Sequence, residues 1–93
     1  MIDGPYGLVV TPPARRAIES GLTEAAATAV IDFMTTALIE KPHRVGKPLR
    51  DDLAGIWSAR RGTYRVLYRI REEPREVIVV RIDHRRDAYR PAT

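Results

Sequence analysis

The sequence predicts an α+β domain, with an N-terminal strand and a two-helix hairpin packed on a mainly antiparallel four-stranded sheet. Apolar residues recur at three-to-four spacing from Ala26 to Leu38 and at spacing two beyond Gly55. Gly21 and Pro42 bound the first tract, and Gly62 and Pro74 divide the second into strands joined by turns. At 93 residues the chain suffices for one compact domain, 1–93, and not for two.

Tyr6 to Val10 is a short β-favouring run that stops at Thr11-Pro12-Pro13, where a threonine can cap a helix and a proline can occupy its first position. The first helix, roughly Pro12 to Ser20, ends at Gly21, a residue at ease just past a helix end. Thr23 can cap the second helix, whose stripe of Ala26, Val30, Phe33, Met34, Ala37 and Leu38 marks a buried face. Pro42 stops it. The basic stretch 41–52 holds two prolines and a glycine and reads as a loop.

Beyond it, Ile56 to Arg60 and Tyr64 to Arg71 form a hairpin around Gly62. In its second strand Tyr64, Val66, Tyr68 and Ile70 point one way and Arg65, Leu67, Arg69 and Arg71 the other, giving a core face and a cationic one. Glu72-Glu73-Pro74-Arg75 is a second turn, and Val77 to Asp83, apolar for most of its length, reads as an interior strand.

Several function classes drop out on composition. The longest apolar stretch, Val77 to Val80, is far short of the roughly 20 residues that span a bilayer. Met-Ile-Asp-Gly-Pro is no secretory leader, so a cytoplasmic protein away from membranes is expected. Without cysteine there is no disulfide framework and no thiolate metal site or nucleophile. His43 and His84 are far apart with no carboxylate cluster at ligand spacing, so neither metal nor cofactor is expected.

Charge is spread unevenly. Residues 1–40 carry a net −3 and residues 41–93 a net +7, so the positive field belongs to the C-terminal half. Fourteen of the sixteen basic residues are arginine, whose planar fork matches phosphate oxygens where lysine offers a point charge. Polyanion binding follows as an expectation; an arginine-rich coding bias would give the same ratio without function.

The run Gly46-Lys-Pro-Leu-Arg-Asp-Asp-Leu-Ala-Gly-Ile-Trp-Ser-Ala-Arg-Arg-Gly-Thr-Tyr-Arg-Val-Leu-Tyr-Arg-Ile70, followed by Val79-Val-Arg-Ile-Asp-His-Arg-Arg-Asp-Ala-Tyr89, resembles the RelE/ParE superfamily of toxin–antitoxin toxins. The Gly-Lys-Pro-Leu loop and the Trp-Ser-Ala-Arg-Arg strand are similar to the RelE branch, including YoeB. The resemblance implies a toxin that enters the ribosomal A site, cleaves messenger RNA there, and is silenced by a cognate RelB- or YefM-like antitoxin.

Cleaving RNA without metal needs a base for the 2′-hydroxyl proton, cations for the charge growing on the phosphoryl oxygens, and an acid for the leaving oxygen. Arg65 matches the arginine of the family's Tyr-Arg strand and is expected to meet the phosphate in the transition state, with Arg81 nearby on the last strand. His84 stands beside Arg81, Arg85 and Arg86, whose charges favour its neutral form, so it is a candidate base. Lys47, Arg60, Arg61 and Arg85 are candidate phosphate contacts, and Tyr89 matches a family tyrosine that stacks on RNA. Trp57 reads as core.

The sequence also departs from the family. A lysine pair found in some RelE toxins before the hairpin is replaced near Ile56 and Ser58, and the loop glutamate of YoeB-like enzymes is not evident between Lys47 and Leu49. The base therefore stays open between His84, Asp83 and Asp87, with Lys47 as an alternative cation. Two other readings share the fold: a ParE-like, non-enzymatic inhibitor of DNA gyrase, and a degenerate toxin kept for its antitoxin complex.

Overall fold

The computed structural model describes residues 5–84, so Arg85, Arg86, Asp87 and Tyr89 of the basic tail lie outside the described residues. Strand β1 (Gly7–Val10) leads into α1 (Pro12–Arg16), which widens into a π-helical turn at Ala17–Gly21. Helix α2 (Glu24–Phe33) widens in the same way at Met34–Leu38. A short α3 (Pro42–Val45) and β2 (Lys47–Pro48) follow, and then the strands β3 (Trp57–Arg61), β4 (Tyr64–Glu72) and β5 (Arg75–His84). The expected α+β layering holds: two helices lie on a sheet whose order is β1-β5-β4-β3-β2.

The sheet has five strands where four were expected, because the loop contributes β2, which pairs Lys47 with Ser58 and Pro48 with Trp57. A strand of two residues has no period of its own, so nothing local distinguishes it from loop. The β2–β3, β3–β4 and β4–β5 pairs are antiparallel and β1 runs parallel to β5, with Leu8 opposite Val77 and Val10 opposite Val79.

Thr23 caps α2 as expected, its Oγ1 accepting from the Ala26 amide at 3.1 Å. Thr11 makes no side-chain cap: Pro13, at the second helical position, has no N–H, and the Thr11 hydroxyl turns to β5 instead of to the Ala14 amide, donating to the carbonyls of Val79 at 2.9 Å and Val80 at 3.1 Å. Val80 is the extra residue of a β-bulge, since Tyr68 pairs with Val79 whereas Leu67 pairs with Arg81. Thr11 therefore ties the strand–helix junction to that irregularity.

Paired residues on neighbouring strands share a face. Ala59, Val66 and Ile82 form one such row and, with Tyr68, Val77 and Val79, pack against Ala14, Val30, Phe33, Met34 and Leu38 of the helical layer. This is the core. Tyr68 is fully buried and donates to the Pro42 carbonyl at 2.6 Å, pinning α3 to the sheet, and burial pushes its phenol up to about 12. Trp57 packs half-buried at the core's edge, stacked near Tyr68 with ring centroids 6.4 Å apart. Among the described residues no helix is long and apolar enough to cross a membrane.

Candidate functional site

On the face away from the helices, register alone assembles the cations. Arg60, Arg65 and Asp83 form one cross-strand row, and Lys47, Ser58, Leu67 and Arg81 form the next. Between this face and the 42–49 segment lies a cleft of about 640 Å³ lined by Arg44, Val45, Gly46, Lys47, Pro48, Leu49, Ser58, Arg60 and Arg65. Its lining holds four cationic side chains and no acidic one.

Arg65 is central to it. At 7% exposure it is the one buried charged residue among those described, and it lies opposite Arg60 on β3. Burying a guanidinium costs free energy unless hydrogen bonds and counter-charges replace water. Its Nη1 donates to Ser58 Oγ at 3.3 Å, and its register partner on β5 is the carboxylate residue Asp83.

The cleft exists because the 42–49 segment approaches the sheet closely. Gly46 has extended backbone, so its role is space: a side chain there would collide with the Tyr68 hydroxyl and come within 2.8 Å of the Ser58 carbonyl oxygen. The Tyr68–Pro42 bond on one side of Gly46 and the β2–β3 pairing on the other hold the segment down, and with it Arg44 and Lys47.

Of the residues expected from sequence, Lys47, Arg60 and Arg65 are brought together in the cleft. Arg81 shares their face one row along and is engaged by Asp83 of its own strand, the Nε lying 2.8 Å from each carboxylate oxygen. Arg61 goes the other way. As Arg60's neighbour on a strand it points to the helical side, where its guanidinium lies 5.6 Å from the centre of the Phe33 ring. His84 pairs with Tyr64 in the row of Arg61, on the face opposite Arg65, and meets the Tyr64 ring edge-on at 5.3 Å. Arg85 and Tyr89 lie outside the described residues.

Arg44 and Ser58 were not singled out as site residues. Ser58 had a signal, since it alternates with Arg60 on the same strand face; Arg44 had none beyond the basic character of its loop. Among the described residues, no group of three or more His, Asp or Glu side chains converges to hold a metal ion.

The family of ParE toxins of type II toxin–antitoxin systems matches residues 9–89 of this chain. Toxin RelG of Mycobacterium tuberculosis is 50% identical over 86 residues, covering 92% of this chain and 98% of the relative. Toxin RelE of the same organism is 43% identical over 88 residues, covering 95% and 90%. The crystal structure of the M. tuberculosis RelBE2 toxin–antitoxin complex contains a chain that superposes with a TM-score of 0.84 at 49% identity, over 88% of this chain and 100% of that one.

Proposed function

The chain belongs to the ParE toxin family of type II toxin–antitoxin systems and is of the RelE type, and from that premise we propose that it is a ribosome-dependent endoribonuclease that cuts messenger RNA in the A site. The observation that carries the reading is the buried Arg65 in a cleft whose other charged residues, Arg44, Lys47 and Arg60, are also cations. A site of this kind suits a phosphodiester, because charge accumulating on the phosphoryl oxygens meets preorganised donors where water is partly excluded.

In the proposed reaction the 2′-oxygen attacks the adjacent phosphorus and the 5′-oxygen leaves, giving a 2′,3′-cyclic phosphate and a 5′-hydroxyl. Arg65 stabilises the phosphoryl oxygens, and Arg60, directly across from it, grips a neighbouring phosphate. Lys47, one row along, holds the backbone and can give a proton to the departing oxygen. Asp83, in Arg65's own row, takes the 2′-hydroxyl proton in this reading, a role supported by that register and by Arg81, which orients its carboxylate. His84 starts from the other face of the sheet and is assigned no proton. Arg85 and Tyr89, which lie outside the described residues, keep the RNA-binding role that the sequence suggests for them.

The partner in the resting state is a cognate antitoxin of the RelB or YefM kind. The M. tuberculosis relative was solved as a toxin–antitoxin complex, and acidic residues on such a partner would neutralise the cleft's cations.

Primer extension on a defined messenger with purified ribosomes tests the activity. Cuts that need ribosomes and fade with Arg65→Ala are expected. Growth arrest by the wild type without any cleavage would overturn the nuclease reading in favour of a non-nucleolytic target such as DNA gyrase.

A further inference from the structure

Ser58 stands where the two cationic rows of the open face meet. It pairs with Lys47 on β2 and Leu67 on β4, lines the cleft, and accepts a hydrogen bond from Arg65 Nη1, which reaches it diagonally from the next row. That diagonal aims the guanidinium toward β2 and the cleft. Ser58's own backbone is well seated, since its carbonyl lies against Gly46 and its strand is paired on both sides.

An arginine side chain carries about 2 kcal/mol of rotamer entropy, and anchoring one of its N–H groups lowers what remains to be lost when a ligand engages the others. A hydroxyl suits this task because it has lone pairs to accept with and no charge to compete for an anion.

We infer that Ser58 is a positioning residue for Arg65, its hydroxyl holding the guanidinium toward a phosphodiester bound in the cleft. This rests on the reading of the cleft as an RNA site. It adds a residue that does its work through Arg65 and whose contribution therefore disappears when Arg65 is removed.

The test is a double-mutant cycle on the full chain. Wild type, Ser58→Ala, Arg65→Ala and the double variant are compared for binding a single-stranded 2′-O-methyl RNA 12-mer, which cannot be cleaved, by fluorescence anisotropy at low ionic strength. Ser58→Ala is expected to weaken binding about five- to tenfold in the wild-type background and not at all beside Arg65→Ala. Ser58→Thr, which keeps the hydroxyl, should bind like wild type, and thermal melts establish that each variant is folded. Equal affinity of Ser58→Ala and wild type, or the same loss in both backgrounds, overturns the inference. Failure of the folded wild type to bind overturns it together with the RNA-site reading. Binding that follows the expected cycle without cleavage on ribosomes leaves the positioning role standing and removes only the nuclease activity.

Discussion

Arg81 and Asp83, two residues apart on β5, form an ion pair on the sheet face that carries Arg65, with the Arg81 Nε 2.8 Å from each carboxylate oxygen. The arginine side chain is 63% exposed and the carboxylate 13%, so the pair contributes little to folding, about 1 kcal/mol or less. What it does is fix the carboxylate in Arg65's row. Asp83→Asn is expected to keep the melting temperature within a few degrees while slowing single-turnover cleavage on ribosomes at least tenfold. Arg81→Ala, which removes only the orienting partner, should slow it less. Unchanged cleavage by Asp83→Asn would take the proton-accepting role away from this residue.

His84 makes the opposite case. It rests against Tyr64 on the helical face, so His84→Ala is expected to leave cleavage within about threefold of wild type, well below the 10²–10⁴ that general base catalysis supplies. A loss of a hundredfold or more in the same assay would show that the imidazole reaches the substrate around the end of the sheet.

Gly46→Ala should damage both the fold and the cleft. The added methyl meets the Tyr68 hydroxyl and, at 2.8 Å, the Ser58 carbonyl oxygen, and backbone in a paired strand cannot move aside cheaply. A destabilisation of about 1–3 kcal/mol is expected in urea titrations, as for overpacking generally. Cleavage should fall more than stability predicts, because Lys47 is displaced with the segment. A variant as stable and active as wild type would mean that the close approach has no role in seating β2.

Tyr68 makes stability fall at alkaline pH. Its buried phenol ionises near 12 when folded and near 10.0 when unfolded, so above pH 10 the folded state holds a proton that the unfolded state gives up. Stability is then fully present below about pH 10 and declines toward pH 12, by about 2–3 kcal/mol over that window. Tyr68→Phe, less stable at neutral pH by about 1–3 kcal/mol because the Pro42 carbonyl loses its donor, should show a shallower alkaline decline in chemical denaturation. Equal slopes for the two proteins would assign the decline to other groups.

Thr11→Val is expected to cost about 1–2 kcal/mol by leaving the carbonyls of Val79 and Val80 without their hydroxyl donor. In a domain of this size that lowers the melting temperature by roughly 5–10 °C. Amide exchange should quicken around Val80 more than in the β3–β4 hairpin, and a uniform change across the sheet would contradict a local role for Thr11.

Much of this molecule could be read locally. The second helix followed from the spacing of Val30, Phe33, Met34 and Leu38, and its start from Thr23, whose cap involves residues three apart. The β3–β4 hairpin followed from alternation around Gly62, and Arg65 was correctly placed on the face opposite Val66 and Tyr68. These features depend on period and punctuation, which a short window of sequence contains in full.

The assembly of the site depended on contacts between distant segments. Strict alternation from Val77 and Val79 would put Arg81 and Asp83 on the core face; the bulge at Val80 shifts the parity, so that they join Arg65 while Ile82 enters the core and His84 turns away from the cleft. Thr11, 68 residues earlier in the chain than Val79, is bonded to that bulge. Lys47 and Arg44 reach the cleft because β2 pairs with β3 under the hold of Tyr68 on Pro42. Charge, helix stripe and strand alternation are properties of neighbouring residues and so were legible in order along the chain. Which cations share one cleft is settled by strand register and a bulge, and those exist only once the segments have packed together.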